Sequence, residues 1–160
     1  MTITIRPAAP DDTATIMRFV RELAEFEREP DAVTSTEAIM HEALFGAQPA
    51  AEAVIAEDDG ASVGMAVFFH NYSTWTGRRG LWLEDLYVTP AARGSGAGRA
   101  LLGHLAGLAI DRGCARFEWW VLDWNARAIE FYRKVGAEAM DEWTTQRVSG
   151  DALLKLAGRL

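Results

Sequence analysis

The run Arg93-Gly94-Ser95-Gly96-Ala97-Gly98-Arg99 has the residue types and spacing to hold an anion. It follows the strand-like Leu81 to Val88 and opens a helix-like run that ends near Arg112. Glycines at alternate positions permit a tight turn and keep side chains out of a ligand's way. The loop amides then point outward at a helix start, where the macrodipole favours negative charge. Arg93 and Arg99 add fixed positive charge suited to phosphate. A merely flexible helix start would need no flanking arginines, so the pattern reads as a pyrophosphate cradle.

Two common phosphate loops are excluded. A dinucleotide fingerprint counted from Gly94 needs glycine where Arg99 stands, and a nucleoside-triphosphate loop ends Gly-Lys-Ser/Thr where this one ends Gly98-Arg99-Ala100. Just upstream, Glu84 and Asp85 interrupt an otherwise apolar strand. Charge there is costly unless it is paired or put to chemical use. Strand alternation predicts that the two carboxylates face opposite sides. Arg78, Arg79 or a backbone amide offers a purely structural partner.

The elements that must position these residues are legible along the chain. Thr2 to Pro7 alternates like a strand. Asp11 or Asp12 can cap a helix with the apolar stripe Ile16, Phe19, Val20, Leu23 and Phe26. Thr34-x-x-Glu37 reads as a capping box before a short helix, Ala38 to Phe45. Glu52 to Glu57 and Ser62 to Tyr72 read as a hairpin turning at Asp58-Asp59-Gly60, with Leu81 to Val88 as the next strand. The helix Gly96 to Arg112 then crosses to a strand, Arg116 to Val121. Asn125 to Val135 is a helix with Gly136 just past its end. Asn125 can cap it, and Tyr132 lies two turns further on the same face, so both can look at one ligand. A short strand near Trp143 to Val148 and a helix Asp151 to Leu156, capped by Ser149, complete the order. It predicts an α/β fold in which helices cover a mixed sheet.

A length of 160 residues predicts one domain, residues 1–160. No apolar run approaches a membrane span and no signal pattern opens the chain, so no membrane partner is expected. The lone Cys114, between Gly113 and Ala115, reads as a buried filler; without a possible internal disulfide, a reducing cytoplasm is the natural compartment. A net charge of −7 argues against nucleic acid and suits a cationic small substrate. His41, His70 and His104 show no metal spacing, so no metal is expected.

The pattern Arg93-x-x-Gly96-x-Gly98 resembles the acyl-CoA loop of the GNAT N-acetyltransferase superfamily. Leu83-Glu84-Asp85-Leu86-Tyr87-Val88 resembles the family's splayed fourth strand. The run from Asn125 through Phe131-Tyr132 to Gly136-Ala137 resembles its Asn-x-x-(Ala/Ser)-x-x-Phe-Tyr-x-x-x-Gly signature. Ile5-Arg6-Pro7-Ala8, the run Glu22 to Glu27 and Trp82-Leu83-Glu84-Asp85-Leu86 are similar to the diamine (spermidine/spermine, thialysine) acetyltransferase branch.

The resemblance implies a mostly antiparallel sheet with a splayed central strand and acetyl-CoA as cosubstrate. The cofactor would be held by Leu86, Tyr87 and Val88, by the loop Arg93, Gly94, Ser95, Gly96, Ala97, Gly98 and Arg99, and by Asn125, Ala126, Arg127 and Ala128. It implies Tyr132 as the acid that protonates the departing thiolate, a fair match for a phenol near pKa 10 and a thiolate near about 8.5. Glu84 would take the amine proton through water, and Asp85 would help hold a cation. Phe26, Glu27 and one of Asp141 or Glu142 fall at acceptor-binding positions. Trp119, Trp120 and Trp124 suit either stacking on an alkyl-ammonium chain or the core. The reaction implied is acetyl transfer to a small amine such as a polyamine, diamine or thialysine-like amino acid. Protein N-acetylation and non-catalytic acyl-CoA sensing are the other classes. Branch relatives pair their C-terminal strands about a two-fold axis, which together with Leu153, Leu154, Leu156 and Leu160 implies a homodimer.

Overall fold

The structure is a computed structural model and describes residues 2–160. The chain divides into two compact units, Met1–Trp120 and Val121–Leu160. The first carries five strands: β1 (Ile3–Pro7), β2 (Glu52–Asp58), β3 (Ala61–Ser73), β4 (Arg78–Val88) and β5 (Phe117–Glu118). Chain order is also spatial order. Asp59 and Gly60, with φ of 48° and 81°, make the tight turn between β2 and β3. Strands β1 to β4 pair antiparallel, whereas β4 and β5 run parallel. That last pairing needs a crossover, supplied by α3 (Ala97–Asp111). The fold is the expected helix-flanked, mostly antiparallel mixed sheet.

Cross-strand partners lie on one face, so the register sorts the core into two layers. Ala53, Ile55, Met65, Val67 and Tyr87 form a buried cluster with Ile16 and Phe19 of α1 (Thr13–Phe26) and Leu44 of α2 (Glu37–Phe45). Val54, Ala56, Ala66 and Phe68 are buried between them in the strands, on the other face. There the Arg112 guanidinium, at the end of α3, lies 5.9 Å from the Phe68 ring. Burying one large apolar side chain contributes about 1.5–3 kcal/mol, so both layers brace the strand that bears Glu84 and Asp85.

Some helix starts differ from expectation. The Asp12 carboxylate accepts from Ala9 N–H at 2.7 Å and from Arg6 at 2.7 and 2.9 Å, and it makes no cap bond to α1. The Arg6 guanidinium, which also binds Glu57, holds the Asp12 carboxyl below its usual range. Helix α2 is capped by Thr36, not Thr34: Thr36 Oγ1 accepts from Ile39 N–H at 3.2 Å. A cap must be the extended residue immediately before the first helical one, and Thr36 has φ −119° and ψ 168°.

Strand β5 is shorter than the expected Arg116 to Val121. It pairs with β4 only at Leu81 and Trp82, and no further ladder holds it extended. In the second unit, α4 (Ala126–Lys134) and α5 (Gly150–Leu156) are the regular elements. Ser149 precedes α5 without a side-chain cap bond. The strand expected at residues 143–148 does not form: those residues lie outside any helix or strand. Leu153, Leu154, Leu156 and Leu160 are exposed. Among the described residues no helix is long and apolar enough to cross a membrane.

Candidate active site

The centre of β4 is irregular at its two carboxylates. Leu83 pairs with Phe68 and Asp85 with the adjacent Val67, which leaves Glu84 as an extra residue opposite neither. Such a bulge bends the strand and re-aims side chains. Leu83 faces the α3 side with Phe68, whereas Asp85 faces the α1 side with Val67 and Tyr87. The expectation that Glu84 and Asp85 face opposite sides is therefore corrected: strict alternation fails where a residue is inserted. Glu84 is exposed and its Oε2 accepts from the Trp82 indole N–H at 3.1 Å. Asp85 is half-buried, and burial, then Glu84, then Glu27 push its carboxyl up to about 6. Burial also raises the Glu27 carboxyl. Among the described residues no ion pair joins Glu84 or Asp85 to Arg78 or Arg79.

This strain has a measurable sign. The folded-state value of Asp85, about 6, lies above the ordinary aspartate value near 3.9, so the native state binds more protons across that interval. The contribution of Asp85 to stability should fall as pH rises through it. Ligand-free Asp85→Asn should therefore melt higher than wild type at about pH 7, with the gap closing toward about pH 4. Parallel melting curves for the two proteins across that range would remove the strained carboxylate.

The bulge also opens backbone donors. Thr89 N–H donates to Val63 O at 2.8 Å and Leu81 N–H donates to Arg116 O at 2.9 Å. Alternation between these anchors, with the bulge counted, turns the Tyr87 amide toward β3 and those of Leu86 and Val88 toward the β5 side. Strand β5 pairs with β4 only at Leu81 and Trp82, so the sheet splays beside Leu86 and Val88. The Tyr87 side chain instead serves the core. Its hydroxyl donates to Glu22 Oε2 at 2.7 Å, and burial, followed by Glu22, pushes the phenol up to about 12.

The Gly-rich run forms a tight loop into α3. Gly94 and Gly96 have φ of 83° and 92°, and Gly96 is the N-cap residue of α3. A β-carbon is strained in that conformation. Ser95 N–H donates to Ala92 O at 3.1 Å and Ala97 N–H to Ser95 Oγ at 3.3 Å, so these two amides are committed inside the loop. Gly98 and Arg99 sit in the first turn of α3, where amides lack intrahelical acceptors. The exposed Arg93 donates from Nε to Val88 O at 3.4 Å, and its Cζ lies 5.3 Å from the Phe26 ring centroid. The set fits a phosphate-bearing cosubstrate: open space at Gly94 and Gly96, first-turn amides, and two flanking guanidinium groups.

In the second unit, Asn125 Oδ1 accepts from Ala128 N–H at 3.3 Å and so caps α4, whose first turn is Ala126, Arg127 and Ala128. The far end closes with Ala137 N–H to Tyr132 O and Gly136 N–H to Arg133 O, both 3.0 Å, a Schellman motif that places the half-buried Tyr132 in the last turn. Asp141 and Glu142 are exposed, outside any helix or strand.

Two participants escaped the sequence reading. Trp82 lies two residues from Glu84, a spacing that signals a shared face. Glu22, the partner of Tyr87, is distant in sequence, and only a buried phenol's need for an acceptor hints at such a group.

Comparisons with known proteins identify the family and the fold. Residues 16–137 match the model of the Acetyltransferase (GNAT) family. The thialysine N-epsilon-acetyltransferase of Sus scrofa is 37% identical, covering 98% of each chain. An L-ornithine N5-acetyltransferase of Arabidopsis thaliana is 28% identical over 93% of this chain and 85% of its own. Among solved structures, an integron cassette protein from the mobile metagenome of V. cholerae superposes with a TM-score of 0.81 at 25% identity, covering 98% of each chain. With a full-length relative at this identity and a family match across most of its residues, the chain belongs to the GNAT acetyltransferases and is an acetyl-CoA-dependent N-acetyltransferase.

Proposed function

We propose that this protein acetylates the side-chain or terminal amine of a small, flexible cationic substrate: a thialysine-like amino acid, a diamine or a polyamine. The observation that carries this reading is the group Glu27, Glu84 and Asp85, in which burial, then Glu84, then Glu27 push the Asp85 carboxyl up to about 6. An alkylammonium ion relieves the repulsion among these carboxylates. Two relatives support the class, since their names place the acetylated nitrogen at N-epsilon of thialysine and at N5 of ornithine.

In this reading Asp85 and Glu27 hold the ammonium group, and Phe26 and Glu142 border the acceptor. Glu84, exposed and steered by Trp82, takes one ammonium proton through water, leaving a neutral amine to attack the thioester carbonyl. The outward amides of Leu86 and Val88 stabilise the oxyanion. As the tetrahedral species collapses the C–S bond breaks, Tyr132 gives its proton to the departing thiolate, and the second proton shed by the acetylated nitrogen returns to the Tyr132 phenolate through water. Arg93, Gly94, Gly96, Gly98 and Arg99 hold the pyrophosphate, Ser95 and Ala97 shape the loop, and Asn125, Ala126, Arg127 and Ala128 line the cofactor arm. Residues 1–160 act as one catalytic domain, and the single Cys114 suits a reducing cytoplasm.

Thiol release from acetyl-CoA, measured across thialysine, ornithine, putrescine, spermidine and lysine- or N-terminus-bearing peptides, tests the substrate class. Turnover should concentrate on the small amines. Preference for the peptides would make this a protein acetyltransferase, and acetyl-CoA binding without turnover of any of them would make it a sensor.

The exposed Trp143, Val148, Leu153, Leu154, Leu156 and Leu160 further support a homodimer in which the C-terminal segment contributes to the interface. Light scattering should give a dimer for the full chain and a monomer after truncation following Glu142. A monomeric full chain at micromolar concentration would refute the dimer, and a dimeric truncation would move the interface elsewhere.

A further inference from the structure

Phe26 is the one member of the α1 stripe that leaves the core. Ile16 and Phe19 are fully buried, whereas Phe26 is 44% exposed with its ring beneath the Arg93 guanidinium. We infer that Phe26 is a positioning residue that couples the phosphate loop to the acceptor side of the site. The inference rests on the reading of that loop as the acetyl-CoA cradle.

Arg93 is held at two places: Nε donates to Val88 O at 3.4 Å, while Cζ lies over the Phe26 ring, 5.3 Å from its centroid. Phosphate binds a guanidinium through the remaining Nη–H donors, so the ring contact and phosphate binding do not compete. The ring contact instead restrains where those donors lie.

The end of α1 is itself rigid. Glu29 N–H donates to Ala24 O at 2.9 Å and Arg28 N–H to Glu25 O at 3.1 Å, with Arg28 left-handed at φ 65°. This Schellman closure makes Phe26 and Glu27 move together. One turn earlier, Glu22 accepts from the Tyr87 hydroxyl at 2.7 Å, which ties the same helix face to β4. Glu27 in turn acts electrostatically on Asp85. Engagement of Arg93 by the pyrophosphate therefore steadies Phe26, and with it the carboxylate that faces the amine. Cosubstrate and amine should bind with positive coupling, and by linkage the effect is reciprocal.

Calorimetry of acetyl-CoA with no amine present, together with thialysine kinetics at low and saturating acetyl-CoA, tests this in the full chain. In wild type the thialysine KM should fall as acetyl-CoA saturates. Phe26→Ala should weaken acetyl-CoA about fivefold, the size of a lost cation–π contact, and make that KM independent of acetyl-CoA. Phe26→Leu, which keeps apolar volume but loses the ring face, should do the same if the alanine variant folds poorly, and Phe26→Tyr should restore both properties. Arg93→Lys added to Phe26→Ala should weaken acetyl-CoA further, because lysine lacks the Nη–H donors, but should leave the thialysine KM independent of acetyl-CoA. An unchanged acetyl-CoA Kd with only a raised thialysine KM would overturn the inference and leave Phe26 a direct substrate contact. A wild-type KM that ignores acetyl-CoA would overturn it too. Wild type that binds no acetyl-CoA would sink the cradle reading, and this inference with it.

Discussion

Gly96→Val should weaken acetyl-CoA binding by roughly 10²-fold, the equivalent of two factors of ten in Kd, while the sheet and helices stay folded. Gly96 has φ 92° at the N-cap of α3, a conformation that a β-branched residue adopts only as an outlier. Valine either accepts strain of about 1–3 kcal/mol or rotates the loop out of the left-handed region. The second course re-aims the first-turn amides of α3, and a branched side chain then fills space that is open in the free protein. The Phe26–Arg93 contact lies outside that turn, so α1 should keep its place. Calorimetric titration with acetyl-CoA, with circular dichroism and a melting curve as folding controls, measures the effect. Wild-type affinity in a folded variant would give the loop another purpose.

Tyr132→Phe should lower kcat by about 10²-fold with little change in acetyl-CoA affinity, because it keeps the ring and deletes only the proton donor. The residue sits in the last turn of α4, where its backbone carbonyl accepts from Ala137 N–H at 3.0 Å. Phenylalanine preserves that closure and the ring packing against Phe131, whose centroid is 5.7 Å away. A structural role therefore predicts almost no effect, and an acid role predicts a large one confined to turnover. Loss of binding and rate in equal measure would make Tyr132 a packing residue. Wild-type turnover would remove it from the mechanism.

Local features were legible wherever the cause was local. The turn into α3 could be read because glycine spacing reports a backbone conformation in a single run. Asn125 and Gly136 bound α4 as a cap pair because each acts on atoms within a few residues. Asp59-Gly60 marks its hairpin for the same reason. Thr34 misled because Thr36, two residues on, can make the same bond, and only the backbone dihedrals choose between them.

What hinged on a partner in another strand was out of reach. The bulge at Glu84 is a property of β3 and β4 together, since an inserted residue shows only against the strand opposite. It turns Glu84 and Asp85 from expected opposites into neighbours that repel, and it decides that Leu86 and Val88, rather than Tyr87, offer outward amides. The short β5 has the same origin, because extended chain becomes strand only where a neighbour pairs with it. Sequence by itself determined the family, the Gly-rich turn into α3 and the helix that Asn125 caps and that bears Tyr132, all written in short-range spacing. Tertiary structure alone decided which way the β4 carboxylates point, that Glu22 holds Tyr87 and that Phe26 meets Arg93, because each of those contacts joins residues that only the folded sheet and α1 bring together.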